Sequence, residues 1–85
     1  LTAATGADLS PDGQRLAVIS YSDLWLFSRP ADGSDHWLSS PSIRTALDRN
    51  VVKQVEAIAW QDDRTLLLGN EQRDLFTITL DELGL

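Results

Sequence analysis

The sequence predicts an all-β chain of about seven antiparallel strands in two sheet units, a four-stranded one followed by one that lacks its outer strand. Three observations predict it. Leu9-Ser10-Pro11-Asp12-Gly13-Gln14 places turn-forming residues directly before an apolar run, Arg15–Tyr21. That run and Asp23–Ser28 are rich in the β-branched and aromatic residues that suit a pleated, half-buried surface. The same construction then returns about fifty residues later, so one unit is used twice in a short chain.

The first unit reads as a meander of Gly6–Ser10, Arg15–Tyr21 and Asp23–Arg29. Pro11 presets φ at the second turn position, Asp12 bonds its own backbone, and Gly13 supplies the positive φ that closes a hairpin loop of three to four residues. Pro30-Ala31-Asp32-Gly33-Ser34-Asp35 marks a solvated turn. Trp37–Ser40 follows and is broken by Pro41, whose missing N–H suits an outer edge strand, so the fourth strand is placed at Ser42–Leu47. A helical alternative over Ser42–Gln54 rests on Ile43, Leu47 and Val51 at helical spacing. Asn50-Val51-Val52, poor helix formers, and the need for a fourth strand oppose it.

The second half overlays the first at an offset of 50, with Asp12 on Asp62, Gly13 on Asp63, Leu16 on Leu66 and Val18 on Leu68. One residue inserted near Gln72 moves the offset to 51, with Asp23 on Asp74, Leu24 on Leu75, Trp25 on Phe76 and Phe27 on Ile78. Asp63 then has to take the left-handed position of Gly13, which aspartate tolerates better than most residues. The third strand of this copy ends at Thr77–Leu80, and 81–85 is a short tail. The repeat length resembles the ~40–50 residues of a β-propeller blade.

Two stretches carry a family resemblance. Leu9-Ser10-Pro11-Asp12-Gly13-Gln14-Arg15-Leu16-Ala17 resembles the hairpin of the PD40, or TolB-like, β-propeller repeat. Gln54-Val55-Glu56-Ala57-Ile58-Ala59-Trp60 with Leu66-Leu67-Leu68-Gly69-Asn70-Glu71 is similar to a signature of bacterial extracytoplasmic propellers of the esterase-like and phytase-like kind. The resemblance implies a partial propeller over 1–85, with blade one at 5–48 and an incomplete blade two at 52–81. It also implies a periplasmic or extracellular location. A closed propeller needs at least ~4 blades, so the expectation is a fragment of a larger ring.

Thirteen acidic against seven basic residues give a formal charge of −6, which repels phosphate backbones and anionic lipid and argues against nucleic acid as a partner. No apolar run approaches the ~20 residues that span a bilayer, so membrane insertion is not expected. Without cysteine there is no disulfide, thiolate site or cysteine nucleophile. The absence of an initiating methionine and of a leader-like start leads to the expectation of a fragment, domain or processed product.

His36 has no nearby serine elbow, second histidine or metal spacing, and no catalytic residue is assigned. Glu56 and Glu71 are the metal candidates, because the resembling propellers place acidic side chains near a central channel where some bind calcium. No other cofactor is expected, and an oxygen-only calcium site needs several further ligands. The recurring Asp12, Asp62, Asp23 and Asp74 are read as turn and hairpin-end residues. Trp25 and Trp60 lie on apolar strands and suit packing between blades, whereas Trp37 precedes the edge strand and suits an outside contact. Trp37, Trp25 and Leu67 are therefore the interaction residues of a non-catalytic scaffold. The alternatives are a piece of a phytase-like or esterase-like hydrolase, or of a solute- or metal-binding propeller, with the active residues outside this chain. Expected partners are a second copy, the remainder of a parent propeller, or another protein.

Overall fold

The computed structural model describes residues 4–39, 42–47 and 55–85. Among the described residues the chain is all-β, with seven strands in two antiparallel sheets and helical structure confined to 3-10 turns. Sheet one runs β1 (Gly6–Leu9), β2 (Arg15–Ile19), β3 (Asp23–Ser28) and β4 (Ser42–Ala46), each paired with its neighbour in sequence. Sheet two runs β5 (Val55–Asp62), β6 (Thr65–Asn70) and β7 (Leu75–Thr79). A 3-10 turn at Trp37–Ser39 packs along β3, so these residues are not extended, and Ser42–Ala46 forms the outer strand of the sheet. The helical alternative fails at its start, because β4 pairs with β3 from Asp23↔Ala46 to Phe27↔Ser42. Its remainder, at 48–54, lies outside the described residues.

The first hairpin turns as its residues demand. Gly13 N–H donates to Ser10 O at 2.8 Å and Gly13 sits at φ 71. Asp12 Oδ1 accepts from Ser10 Oγ at 2.6 Å and from Gln14 N–H at 2.9 Å. In the second copy Asp62 repeats the aspartate's role, accepting Arg64 N–H at 2.8 Å. The expectation for Asp63 is corrected, because Arg73 is the only described non-glycine residue with positive φ. Here the loop shortens to Asp63-Arg64, and the register slips between Trp60 and Asp62. The bulge at Gln61 supplies the twist that a left-handed residue would otherwise provide.

The inserted residue of the second copy lies in the next turn. Ser20 and Asp23 close a two-residue loop, and Asn70 and Asp74 a three-residue one that ends in Arg73 at φ 66. A three-residue hairpin needs a left-handed residue at that place. Both turns are capped alike, by Ser20 Oγ accepting Asp23 N–H at 3.1 Å and by Asn70 Oδ1 accepting Asp74 N–H at 2.9 Å. The repeat therefore extends to individual hydrogen bonds. Arg29 N–H donates to Gln14 O at 2.9 Å, and its counterpart Leu80 N–H donates to Arg64 O at 2.8 Å.

One face of each sheet meets the other in a shared core. Ala17, Ile19, Leu24 and Leu26 of sheet one join Val55, Trp60, Leu66 and Leu68 of sheet two, with Leu47 and Leu80 closing its ends. The tail is part of this core. Its 3-10 turn, Asp81–Leu83, packs Leu83 against the cluster, and Arg64 ties it down through Asp81 Oδ1 at 2.7 Å and Leu85 O at 3.1 Å.

Candidate functional site

Polar contacts fix how β1 lies beside β5. Asp8 Oδ2 accepts Trp60 N–H at 2.8 Å, and Asp8 O accepts the indole N–H of Trp60 at 3.0 Å. Thr5 Oγ1 donates to Val55 O at 3.1 Å. At the hairpin tips Asp12 N–H donates to Asp63 Oδ1 at 2.8 Å. Asp8 carries none of the motif chemistry that singles out a site residue, and only the long-range pairing reveals it.

Strand pairing assigns every residue to a face, because alternate side chains point to opposite sides. On sheet one, Gly6, Asp8, Ala17, Ile19, Leu24 and Leu26 face sheet two, and Ala7, Leu9, Leu16, Val18, Trp25 and Phe27 face away. On sheet two, Ile58, Trp60, Leu66, Leu68, Phe76 and Ile78 face sheet one, and Ala57, Ala59, Leu67, Gly69, Leu75 and Thr77 face away. The pairing also refines the overlay. Leu9 and Leu16 are partners, as are Trp60 and Leu66, so β1 falls on β5 at an offset of 51 and Leu9 corresponds to Trp60.

The face of sheet two that points away is uncharged at its central positions, and its one charged residue at a paired strand position is Asp62, opposite Thr65 at the hairpin end. Leu75 is 69% exposed, Ala57, Ala59 and Thr77 are exposed, and Leu67 is half-buried. For a chain of formal charge −6, a sheet face that is apolar across its centre is a feature that surface solubility does not require. On the outward face of sheet one, Leu9 is 45% exposed, Leu16 and Trp25 are half-buried, and Val18 and Phe27 are buried. Arg44 lies over the Trp25 ring at 5.4 Å and pairs with Asp23 Oδ1 at 3.0 Å, while Trp25 Nε1 is buried with no hydrogen-bond partner.

The structure separates the three interaction residues expected from sequence. Trp25 lies on the outward face of sheet one and Leu67 on that of sheet two, so neither belongs to the packing between the two sheets. Trp60 does belong to it, 8% exposed in the core. Trp37 sits in the 3-10 turn with Arg29 above its ring at 5.4 Å. Glu56 is the exposed residue at the slip between Val55 and Ala57, and exposed Glu71 starts the turn after Asn70, the partner of Val55. Both glutamates thus mark one end of the β5–β6 pair. Among the described residues no cluster of three or more histidine, aspartate or glutamate side chains is arranged to hold a metal ion. His36 is exposed, and no helix of the described residues is long and apolar enough to cross a membrane. The chain matches no protein-family model, no curated protein and no solved structure.

Proposed function

We propose that the chain is a non-catalytic scaffold segment, two successive units of a β-propeller-like array whose outward sheet faces bind further protein. One observation carries this reading. The two sheets are copies of each other down to their turn-capping hydrogen bonds, and they stack through one face each while an apolar face of sheet two stays open. In arrays of stacked units each unit is stabilised mainly by its neighbours, so an added unit raises the stability of the whole.

Tandem fusion tests the reading. Two, three and four copies are joined by flexible linkers long enough to restore the repeat spacing, and thermal unfolding is followed by circular dichroism. The expected result is a single cooperative transition whose midpoint rises with copy number. A midpoint that stays at the one-copy value would mean independent domains and would end the scaffold reading.

A further inference from the structure

The repeat specifies what fits the open face of sheet two. That face, Ala57, Ala59, Leu67, Gly69, Leu75 and Thr77, corresponds position by position to Gly6, Asp8, Ala17, Ile19, Leu24 and Leu26, the face of sheet one that sheet two covers. The residues doing the covering, Ile58, Trp60, Leu66, Leu68, Phe76 and Ile78, correspond to Ala7, Leu9, Leu16, Val18, Trp25 and Phe27 on the outward face of sheet one. The interface seen within the chain is therefore a template for one more interface. The geometry points to head-to-tail association of copies of this chain, the open face of sheet two in one copy receiving the outward face of sheet one in the next.

The chemistry of the two surfaces agrees. At the position of Asp8, which needs the N–H of Trp60, the open face has Ala59; at the position of Trp60 the outward face has Leu9. The aspartate–tryptophan contact becomes one between the apolar side chains of Ala59 and Leu9, so neither side chain brings a polar group into it. Leu75 and Ala57 on the one face and Ala7 and Leu9 on the other are exposed and apolar, and the charges the two faces carry are opposite in sign, Asp62 at the hairpin end of the open face and Arg44 over Trp25 on the outward face of sheet one. Because two different faces join, the contact is heterologous and adds copies in one direction, closing into a ring or continuing as a chain. This inference rests on the scaffold reading and adds to it a partner and a polarity.

The test uses two surface variants, each blocking one face. Leu75→Glu places a charge on the open face of sheet two, and Leu9→Glu places one on the outward face of sheet one. Circular dichroism checks that both keep the wild-type strand signal, with Leu67→Lys and Ala7→Glu as second variants for the same faces. Masses come from light scattering during size-exclusion chromatography. The wild type should exceed the 9.4 kDa monomer, each variant alone should be monomeric, and an equimolar mixture should form a dimer of one Leu9→Glu and one Leu75→Glu chain. That dimer pairs the two faces left intact. Association that survives Leu9→Glu but not Leu75→Glu, with no complex on mixing, would show a two-fold contact through sheet two and overturn the polarity. A monomeric wild type would overturn the association itself; should tandem copies still gain stability, the scaffold reading would stand without it.

Discussion

Replacing Asp8 by alanine removes the acceptor that holds the backbone N–H of Trp60 at 2.8 Å, across the junction of the two sheets. The indole bond survives, because its acceptor is the backbone carbonyl of residue 8. What is lost is one hydrogen bond to a carboxylate, and such bonds contribute about 1.5–3 kcal/mol. The contact is only partly buried, so water can reach the freed N–H and the expected loss is about 1–2 kcal/mol. For a domain of this length, total stability is of the order of 4–13 kcal/mol, so the change is a measurable fraction. Urea unfolding followed by tryptophan fluorescence reads it directly; with a slope of about 1 kcal/mol per molar, the midpoint falls by about 1–2 M. Asp8→Asn, which keeps a side-chain oxygen, should lose about half as much. Trp60→Phe removes the other bond of the pair, and because the two residues are in direct contact the double variant should depart from additivity by about 0.5 kcal/mol or more. An Asp8→Ala midpoint indistinguishable from wild type would mean that β1 does not lie against β5 as described.

The remaining predictions concern the two faces, the two turns and acid. Leu66→Ala, at a fully buried side chain, should cost about 2–5 kcal/mol, whereas Leu67→Ala on the open face should cost about 1 kcal/mol or less; equal losses in chemical denaturation would refute the face assignment. Gly13→Val forces a β-branched residue to φ 71 and brings Cβ to 3.0 Å from Arg29 Nη2, so it should cost about 1–2 kcal/mol or more. Asp63→Val loses only the exposed bond to Asp12 N–H and should melt closer to wild type, a difference that calorimetry resolves. Hydrogen bonds from the Ser10 hydroxyl and Gln14 N–H hold the Asp12 carboxyl below its ordinary value of 3.8, and the N–H of Arg64 does the same for Asp62. Depressed values in the folded chain mean that this stabilisation is complete above pH 3.8 and is lost as pH falls through the lower folded values. The thermal midpoint should therefore drop below about pH 4. Asp12→Asn with Asp62→Asn should make the drop shallower, and an unchanged slope would exclude these two carboxylates as its source.

Much of the fold was legible because turn chemistry is local. Ser10-Pro11-Asp12-Gly13 announces its hairpin through Pro φ, aspartate back-bonding and glycine's left-handed freedom, and the structure contains the aspartate bonds and the left-handed glycine. Asp62-Asp63 misled because two loop solutions satisfy the same strands. A shorter loop with a bulge at Gln61 replaces a left-handed residue, and the choice depends on the register of β5 against β6. The extra residue near Gln72 was visible as a slip in the overlay, but that it would put Arg73 rather than a glycine at φ 66 was not. Beyond the turns, the burial of Leu80 and Leu83 and the role of Asp8 depend on contacts between residues far apart in sequence, which no local pattern encodes.

The pairing of Asp8 with Trp60 also explains why the two copies differ where they do. A repeat whose faces were identical could stack its sheets in any order, since every outward face would fit every inward one. The junction removes that freedom through the indole of Trp60, whereas the backbone N–H that the Asp8 carboxylate accepts is one that Leu9 also carries. Set against the outward face of sheet one, where Leu9 stands in place of Trp60, Asp8 would lose the indole that donates to its carbonyl at 3.0 Å and gain no polar group in exchange. Sheet two presents Ala59 at the same position on its open face and makes no such demand. The contact within the chain is thus chosen by a polar pair and the open face by shape and hydrophobicity. On this argument Trp60→Phe, which removes the indole N–H while the Asp8 carbonyl stays, should not only lower stability but relax the order of stacking, because β5 then offers the inward face of sheet one no more than Leu9 does. Light scattering during size-exclusion chromatography should then give Trp60→Phe a mass distribution different from that of wild type, and an unchanged distribution would show that the indole stabilises the junction without choosing the partner.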